Sequence, residues 1–477
     1  MTSISRRAFL GSPAIALAGT GQHESFQADP ARKDLRQPQL LLDDTWIEDT
    51  YRLERVWQQA DLFPEPVLRP EAPWEGRQLV LYGSAFRLGG EWRLYYMTFN
   101  PPAPSLFCMA TSGDGIHWQR PNLGLFEFGG SRRNNIVMMP APGESHDGPT
   151  VCHDPQDPQS PFKMIYYGSG RNRPRGEYAA FSSDGIVWRH RPQPVMTDTG
   201  DRTNVMSARD HEGNYVAYLR HRDMMRTVRA RAIYRSQSRD FLNWSTPQLV
   251  LRQDLLDGPN TELYGMPAFR YGDLYLGMLE RWYDNPDVIE VQLAWSHDNH
   301  VWHRPARRSA FIGPKYPWNQ AWNTCASTPP ILEGNTLYFY VGARSGAHGL
   351  EAPHSYGAVA LATILAGRFA ALQADFQEGL LVTRPMTWPG GELFLNSTTT
   401  RYPKAHPSSG GGTLSIEIRN EDNTPVPGFS ATHNATRPQQ AAWPNSLKLD
   451  TLKGRRIRLA IAMRDSRLYS FQAREGT

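Results

Sequence analysis

Cysteine is scarce in this chain: Cys108, Cys152 and Cys325 are its only three, they lie far apart in strand-like apolar contexts, and an odd number cannot all pair within one molecule. A disulfide framework is therefore excluded as the main source of stability, and buried free thiols are expected. No CxxC or HExxH spacing occurs, which removes the common structural and catalytic zinc arrangements, and neither a metal nor a cofactor is expected. Nor does one sign of charge dominate. The 51 basic and 47 acidic residues leave a formal charge of +4 with no long single-sign run, so nucleic acid is not an expected partner. Nothing approaches about 18 uninterrupted apolar residues, so no membrane span is expected. Long helical patterns are scarce as well.

What the chain has in quantity is 14 Trp, 20 Tyr and 19 Phe among 40 Gly and 38 Pro, a mixture suited to many short strands, tight turns and aromatic-lined sugar sites. One phrase recurs in the turns. Ser112-Gly113-Asp114-Gly115-Ile116-His117-Trp118 is followed by Ser182-Ser183-Asp184-Gly185-Ile186-Val187-Trp188. Weaker copies run from Ser238 through Asp240 to Trp244 and from Ser296 through Asp298 to Trp302. The tryptophans fall roughly 60 residues apart, the length of a four-stranded unit with its loops. Three strand-like runs precede each phrase, and a fifth set across 324–363 keeps the rhythm without the tryptophan. Five such units predict an all-β fold, a five-bladed β-propeller across residues 39–377, with the segment 40–47 closing the ring against the fifth unit. A new series of alternating runs predicts a small β-sandwich over 378–477, read as a lid on the propeller rather than a separate sugar-binding module.

The N-terminus carries Arg6-Arg7-Ala8-Phe9-Leu10, a short apolar stretch and Ala16-Leu17-Ala18. This resembles a twin-arginine export signal over 1–18, followed by a linker over 19–38, and implies a periplasmic or secreted protein. Gly11 stands where a lysine is usual, and Ser12-Pro13 interrupt the apolar region.

The Ser-x-Asp-Gly-Ile-x-Trp phrase, Trp74-Glu75-Gly76-Arg77, Arg120-Pro121-Asn122-Leu123-Gly124-Leu125, Asn134-Asn135-Ile136-Val137 and Tyr264-Gly265-Met266-Pro267 together resemble bacterial exported proteins related to glycoside hydrolase families 43 and 32. The resemblance spans nearly the whole chain, including Pro389-Gly390-Gly391 and Pro427-Gly428-Phe429. It implies a hydrolase of arabinofuranosyl, xylosyl, fructosyl or related glycosides in poly- or oligosaccharides, with acidic residues around the propeller axis.

In such a ring the innermost strand of each unit starts at one face, so polar residues just ahead of those strands converge on one mouth. That rule selects Glu75 and Arg77, His146 and Asp147, Asp201, Arg202 and Asn204, Glu262, and finally Trp322 and Asn323. Asp44 is preferred to Asp43, since alternating side chains present only one of them to the axis. Arg220, Glu280, Arg281 and Trp282 follow second strands and could reach the rim, although surface pairing explains them too. Glycoside cleavage needs one protonated and one ionised carboxyl, and crowding raises at least one pKa. Glu262 is expected to be the acid, Asp147 or Asp201 its ionised partner, and Glu75 a further catalytic candidate. Asp44, Arg77, Asn204, Arg220, Glu280, Trp282, Trp322 and Asn323 are the expected sugar-binding residues. Each acid could instead cap a turn or pair with Arg77 or Arg202. His297, His300 and His303 span a turn and only superficially resemble a metal cluster. The other readings are a carbohydrate-binding propeller without catalysis, and a lyase or transferase built on the same pocket.

Overall fold

The structure, a computed structural model, describes residues 33–197, 199–223, 230–347, 355–400, 411–433 and 438–476. Arg6, Arg7 and the expected signal segment lie outside the described residues. The described residues are all-β and fold into seven antiparallel sheets.

Five of these sheets follow one another along the chain. The first is built on Leu79–Val80, Glu91–Thr98 and Phe107–Ser112, the second on Glu144–His153, Phe162–Gly170 and Arg173–Ser182, and the third on Thr203–Val205, Tyr215–Asp223 and Ala230–Ser238. Thr261–Gly265, Leu274–Tyr283 and Val288–Ser296 make the fourth, and Trp322–Cys325, Thr336–Arg344 and Gly357–Leu365 the fifth. Each sheet packs on the next, and the fifth packs back on Leu79–Val80 of the first.

The repeated phrase forms the same turn four times. In the first copy Asp114 Oδ1 accepts the backbone N–H groups of Ile116 and His117, both at 2.8 Å, while Ser112 Oγ accepts that of Gly115 at 2.9 Å. Asp184, Asp240 and Asp298 repeat the pair of backbone bonds. The residue after each aspartate is left-handed, with φ of 76° and 77° at Gly115 and Gly185, 67° at Phe241 and 59° at Asn299. The copies therefore degraded in sequence without losing their backbone shape. Phe241 bears about 1–2 kcal/mol of left-handed strain and buries its whole ring against Tyr215 in return.

The remaining two sheets share one apolar core. Alternation in Thr413–Asn420 turns Leu414, Ile416 and Ile418 inward, where they meet Leu393, Leu395, Leu468 and Phe471 of the opposite sheet. Sheet membership crosses the expected boundary at 377/378. Ala370–Ala374 and the N-terminal strands Gln39–Leu40, Ile47–Tyr51 and Glu54–Trp57 all belong to these two sheets.

The pairing of the N-terminal strands consequently differs from the expectation. The N-terminal strand on the fifth sheet is Asp61–Leu62, paired with Thr363 and Ala362. The expected segment pairs elsewhere: Gln39–Leu40 with Phe471 and Ser470, and Ile47–Tyr51 with the 380–383 stretch. The reason lies in a leucine run that is apolar on both faces. Leu40 and Leu42 enter the core beneath the fourth and fifth sheets, whereas Leu41 and Trp46 enter the core of the last two sheets.

Candidate active site

A belt of buried polar bonds ties the five sheets together where their innermost segments meet. Ser84 donates to the carbonyl of Val151 and Thr150 to that of Thr203, each at 2.6 Å. Ser327 donates to the carbonyl of Tyr82 at 3.0 Å and accepts from Asn204 Nδ2 at 3.0 Å. At its centre Arg202 bonds Glu280 through two nitrogens, at 2.5 and 3.1 Å, with both side chains fully buried. Gly265 makes this possible, because a Cβ there would stand 2.3 Å from Glu280 Oε2. Such a pair is costly to break, since removing one partner strands the other charge in a low-dielectric interior.

Over this floor stand aromatic rings, each with a guanidinium against its face. Arg202 lies 4.4 Å from the Tyr82 ring, Arg220 4.2 Å from Tyr264, Arg231 4.4 Å from Trp282 and Arg344 4.7 Å from Trp322. The hydroxyls of Tyr82 and Tyr264 share a hydrogen bond of 2.9 Å. Asp287 accepts the indole N–H groups of Trp282 at 2.7 Å and Trp322 at 3.3 Å, locking both rings.

Three of the four expected catalytic acids reach this cluster. Asp201 is ion-paired with Arg220, and Glu262 accepts from Arg231 at 2.5 Å. Asp147 is bonded through Oδ1 to the backbone N–H of Gly148 at 2.7 Å. Burial raises the Asp147 pKa, against the opposing pull of Gly148 N–H and of Arg220, Arg344 and Arg202 through space. Glu75 is not brought there. It is fully buried in the turn ahead of the first sheet, accepting from Glu71 and Ala72 N–H at 2.9 Å each, from Tyr96 at 2.5 Å and from Arg120 at 2.7 Å. That saturates both oxygens, which is a structural assignment.

Of the expected binding residues, Arg220, Trp282 and Trp322 line the cluster. Asn204 and Glu280 lie in the belt below it, and Asn323 is buried with its amide bonded to the carbonyls of Ile289 and Asn319. Arg77 is exposed, and its backbone N–H is held by Asn100 at 2.7 Å. Asp44 pairs with Arg55 and lines a separate cleft of about 500 Å³ with Trp57, Trp295 and Arg307. The neighbouring Asp43 takes His297 and Trp295. His146 follows strand alternation away from Asp147 and sits between Arg173 and Tyr166, where burial lowers its pKa to about 4.

Arg231, Arg344, Tyr82, Tyr264 and Glu177 were not selected from the sequence. A usable signal existed for Arg344: it ends a second strand opposite the first-strand residue Trp322, much as Trp282, one residue from the end of its own second strand, lies opposite Glu262. Glu177 offered no such signal. It is the register partner of Tyr167, which partners Asp147, so the two carboxyls share a face two strands apart, about 10 Å. Thr203 donates to Glu177 Oε1 at 2.6 Å, Oε2 has no partner, and burial lifts the pKa to about 8. Among the described residues no group of three or more His, Cys, Asp or Glu is placed to hold a metal ion.

No protein-family model and no curated protein matches the sequence. Among solved structures the chain is similar to a member of glycoside hydrolase family 130 described as targeting β-1,2-mannosidic linkages in Candida mannan, at 13% identity, covering 67% of this chain and 97% of that one with a TM-score of 0.47. It is similar also to the β-1,2-mannobiose phosphorylase of Listeria innocua, at 11% identity, 64% and 96% coverage and a TM-score of 0.47. A third is an N-acetylgalactosamine deacetylase from F. plautii, at 12% identity, 66% and 96% coverage and a TM-score of 0.44. Hydrolysis, phosphorolysis and deacetylation are different reactions, so a likeness of this degree leaves the reaction to be argued from the site. The relation to families 43 and 32 rests on the sequence phrases alone.

Proposed function

We propose that this chain is a glycoside hydrolase built as a five-bladed β-propeller with a C-terminal β-sandwich, the five cyclically packed sheets being the blades. The observation that carries the reading is a partly exposed carboxyl, Asp147, whose burial favours its protonated form, beside two ion-paired carboxylates in an aromatic-walled mouth. Aromatic faces suit the apolar faces of sugar rings, and carboxyls in opposite protonation states are what glycoside cleavage requires.

The roles differ from those expected of the sequence. Glu262 is ion-paired with Arg231, whereas burial raises the Asp147 pKa and favours its protonated form. Asp147 is therefore the general acid: it delivers its proton to the glycosidic oxygen as the bond from that oxygen to the anomeric carbon breaks. Glu262 comes from the fourth sheet, which does not adjoin the second, so it approaches from across the mouth. There it takes a proton from the water that adds to the anomeric carbon. Asp201 holds Arg220 in place. The substrate is an arabinofuranosyl, xylosyl, fructosyl or related glycoside.

The purified chain assayed on a panel of aryl glycosides and oligosaccharides tests this. Asp147→Asn should cut turnover about a hundredfold or more on poor leaving groups and much less on activated ones. Equal loss on both would remove Asp147 from the acid's role. The ion pairing of both Asp201 and Glu262 favours one alternative, a sugar-binding propeller without catalysis, which a panel showing binding and no cleavage would establish. The paired Arg6 and Arg7 support export to the periplasm or beyond. Replacing both with Lys should retain the precursor inside the cell.

A further inference from the structure

The charges around the mouth do not all pair. Arg202 is matched by Glu280, Arg220 by Asp201 and Arg231 by Glu262. Arg344 is the fourth guanidinium, 4% exposed, and among the described residues it has no carboxylate at ion-pair distance. It is held between the rings of Trp322 and Phe99, at 4.7 and 5.2 Å, and its Nη1 has no hydrogen-bond partner. Arg220 repeats the pattern: its Nη2 pairs with Asp201, while Nη1 is buried without a partner.

The two guanidiniums have a neighbour in common. Each acts through space on the carboxyl of Asp147, and the rings they stack on, Tyr264 and Trp322, meet edge to face at 5.0 Å. A buried cation left with an unused N–H is costly unless something brings the matching acceptor. Two such N–H groups from two arginines match the two oxygens of one carboxylate, and a charge-assisted pair of this kind is both strong and directional.

We propose that Arg344 and Arg220 form a carboxylate subsite, so that the glycoside bound in this mouth carries an acidic sugar of the uronic acid class. The inference rests on the reading of the mouth as a sugar site, and it puts an acidic sugar in place of the neutral arabinofuranosyl, xylosyl and fructosyl units. A uronate carboxylate placed between the two arginines would leave its ring against Trp322 and Tyr264, next to Asp147. The same oxyanion chemistry could be met by inorganic phosphate, which presents more oxygens than these two N–H groups serve.

The test is calorimetric titration of the full chain with the methyl glycosides of glucuronic and galacturonic acid, with those of glucose and galactose, and with inorganic phosphate. At least one uronide should bind ten times or more tightly than its neutral counterpart. Arg344→Met should erase that preference, and Arg344→Lys should keep part of it, with melting curves confirming that both variants fold. Equal binding of acidic and neutral glycosides by the parent chain would overturn the proposal without recourse to any variant. Phosphate binding that depends on Arg344 while uronides do not bind would overturn the acidic sugar as the source of the oxyanion. Binding requires no turnover, which keeps the two readings apart. A chain that binds uronides through Arg344 and cleaves nothing refutes the hydrolase and upholds the subsite, whereas Asp147-dependent cleavage of neutral glycosides with indifference to uronides does the reverse.

Discussion

Glu177 offers the sharpest physical test of the site, because its pKa is a statement about stability. In the folded chain it titrates at about 8, raised by burial, against 4.5 for the free group. Below about pH 4.5 both states hold the proton and the group does not oppose folding. Above that, the unfolded chain releases the proton while the folded chain keeps it, so stability falls as pH rises until the folded pKa is passed. The slope is about 1.4 kcal/mol per pH unit, and between pH 5 and 8 the loss approaches about 4 kcal/mol. Glu177→Gln abolishes the titration while keeping the acceptor for Thr203, bonded at 2.6 Å. It places an amide where Oε2 has no partner, a cost of about 1–3 kcal/mol that does not vary with pH. Urea unfolding of both proteins at pH 5, 6, 7 and 8 reads the difference directly. The parent should be the more stable at pH 5 and should lose that lead, ending below the variant near pH 8. Two stability curves that stay parallel across the range would refute the burial argument for Glu177.

Asp147 behaves in the same direction: its raised pKa means that an acid-catalysed step is supported below that pKa and fails as pH rises through it, so the alkaline limb of kcat/KM should vanish in Asp147→Asn. Glu280→Gln removes one partner of the fully buried pair with Arg202 and should cost about 3–5 kcal/mol, seen as a lowered urea midpoint. Leu62→Ala, in the strand that joins the fifth sheet, should cost about 2–5 kcal/mol, since Leu62 is 5% exposed and packed in the core beneath the fourth and fifth sheets. A loss below about 0.5 kcal/mol would show that this strand does not stabilise the fifth sheet.

The sequence by itself determined the all-β class, the four aspartate turns and the spacing of the five sheets, because each depends on residues only a few positions apart. Asp114 needs no distant partner to gather the N–H groups of Ile116 and His117. It also singled out Asp147, Asp201, Glu262, Trp282 and Trp322, which the fold gathers around one cluster of rings and guanidiniums. What tertiary structure decided was pairing. Glu75 met Arg120 and Tyr96, Glu280 met Arg202 across 78 positions, and Glu262 met Arg231. The place of the N-terminal strands was decided the same way, for a leucine run apolar on both faces fits either core, and only the packed molecule selects between them. Protonation was the last to be settled. A carboxyl's pKa depends on the water it loses and the charges it meets, and those of Glu177 and Asp147 come from strands and sheets that local sequence does not bring together.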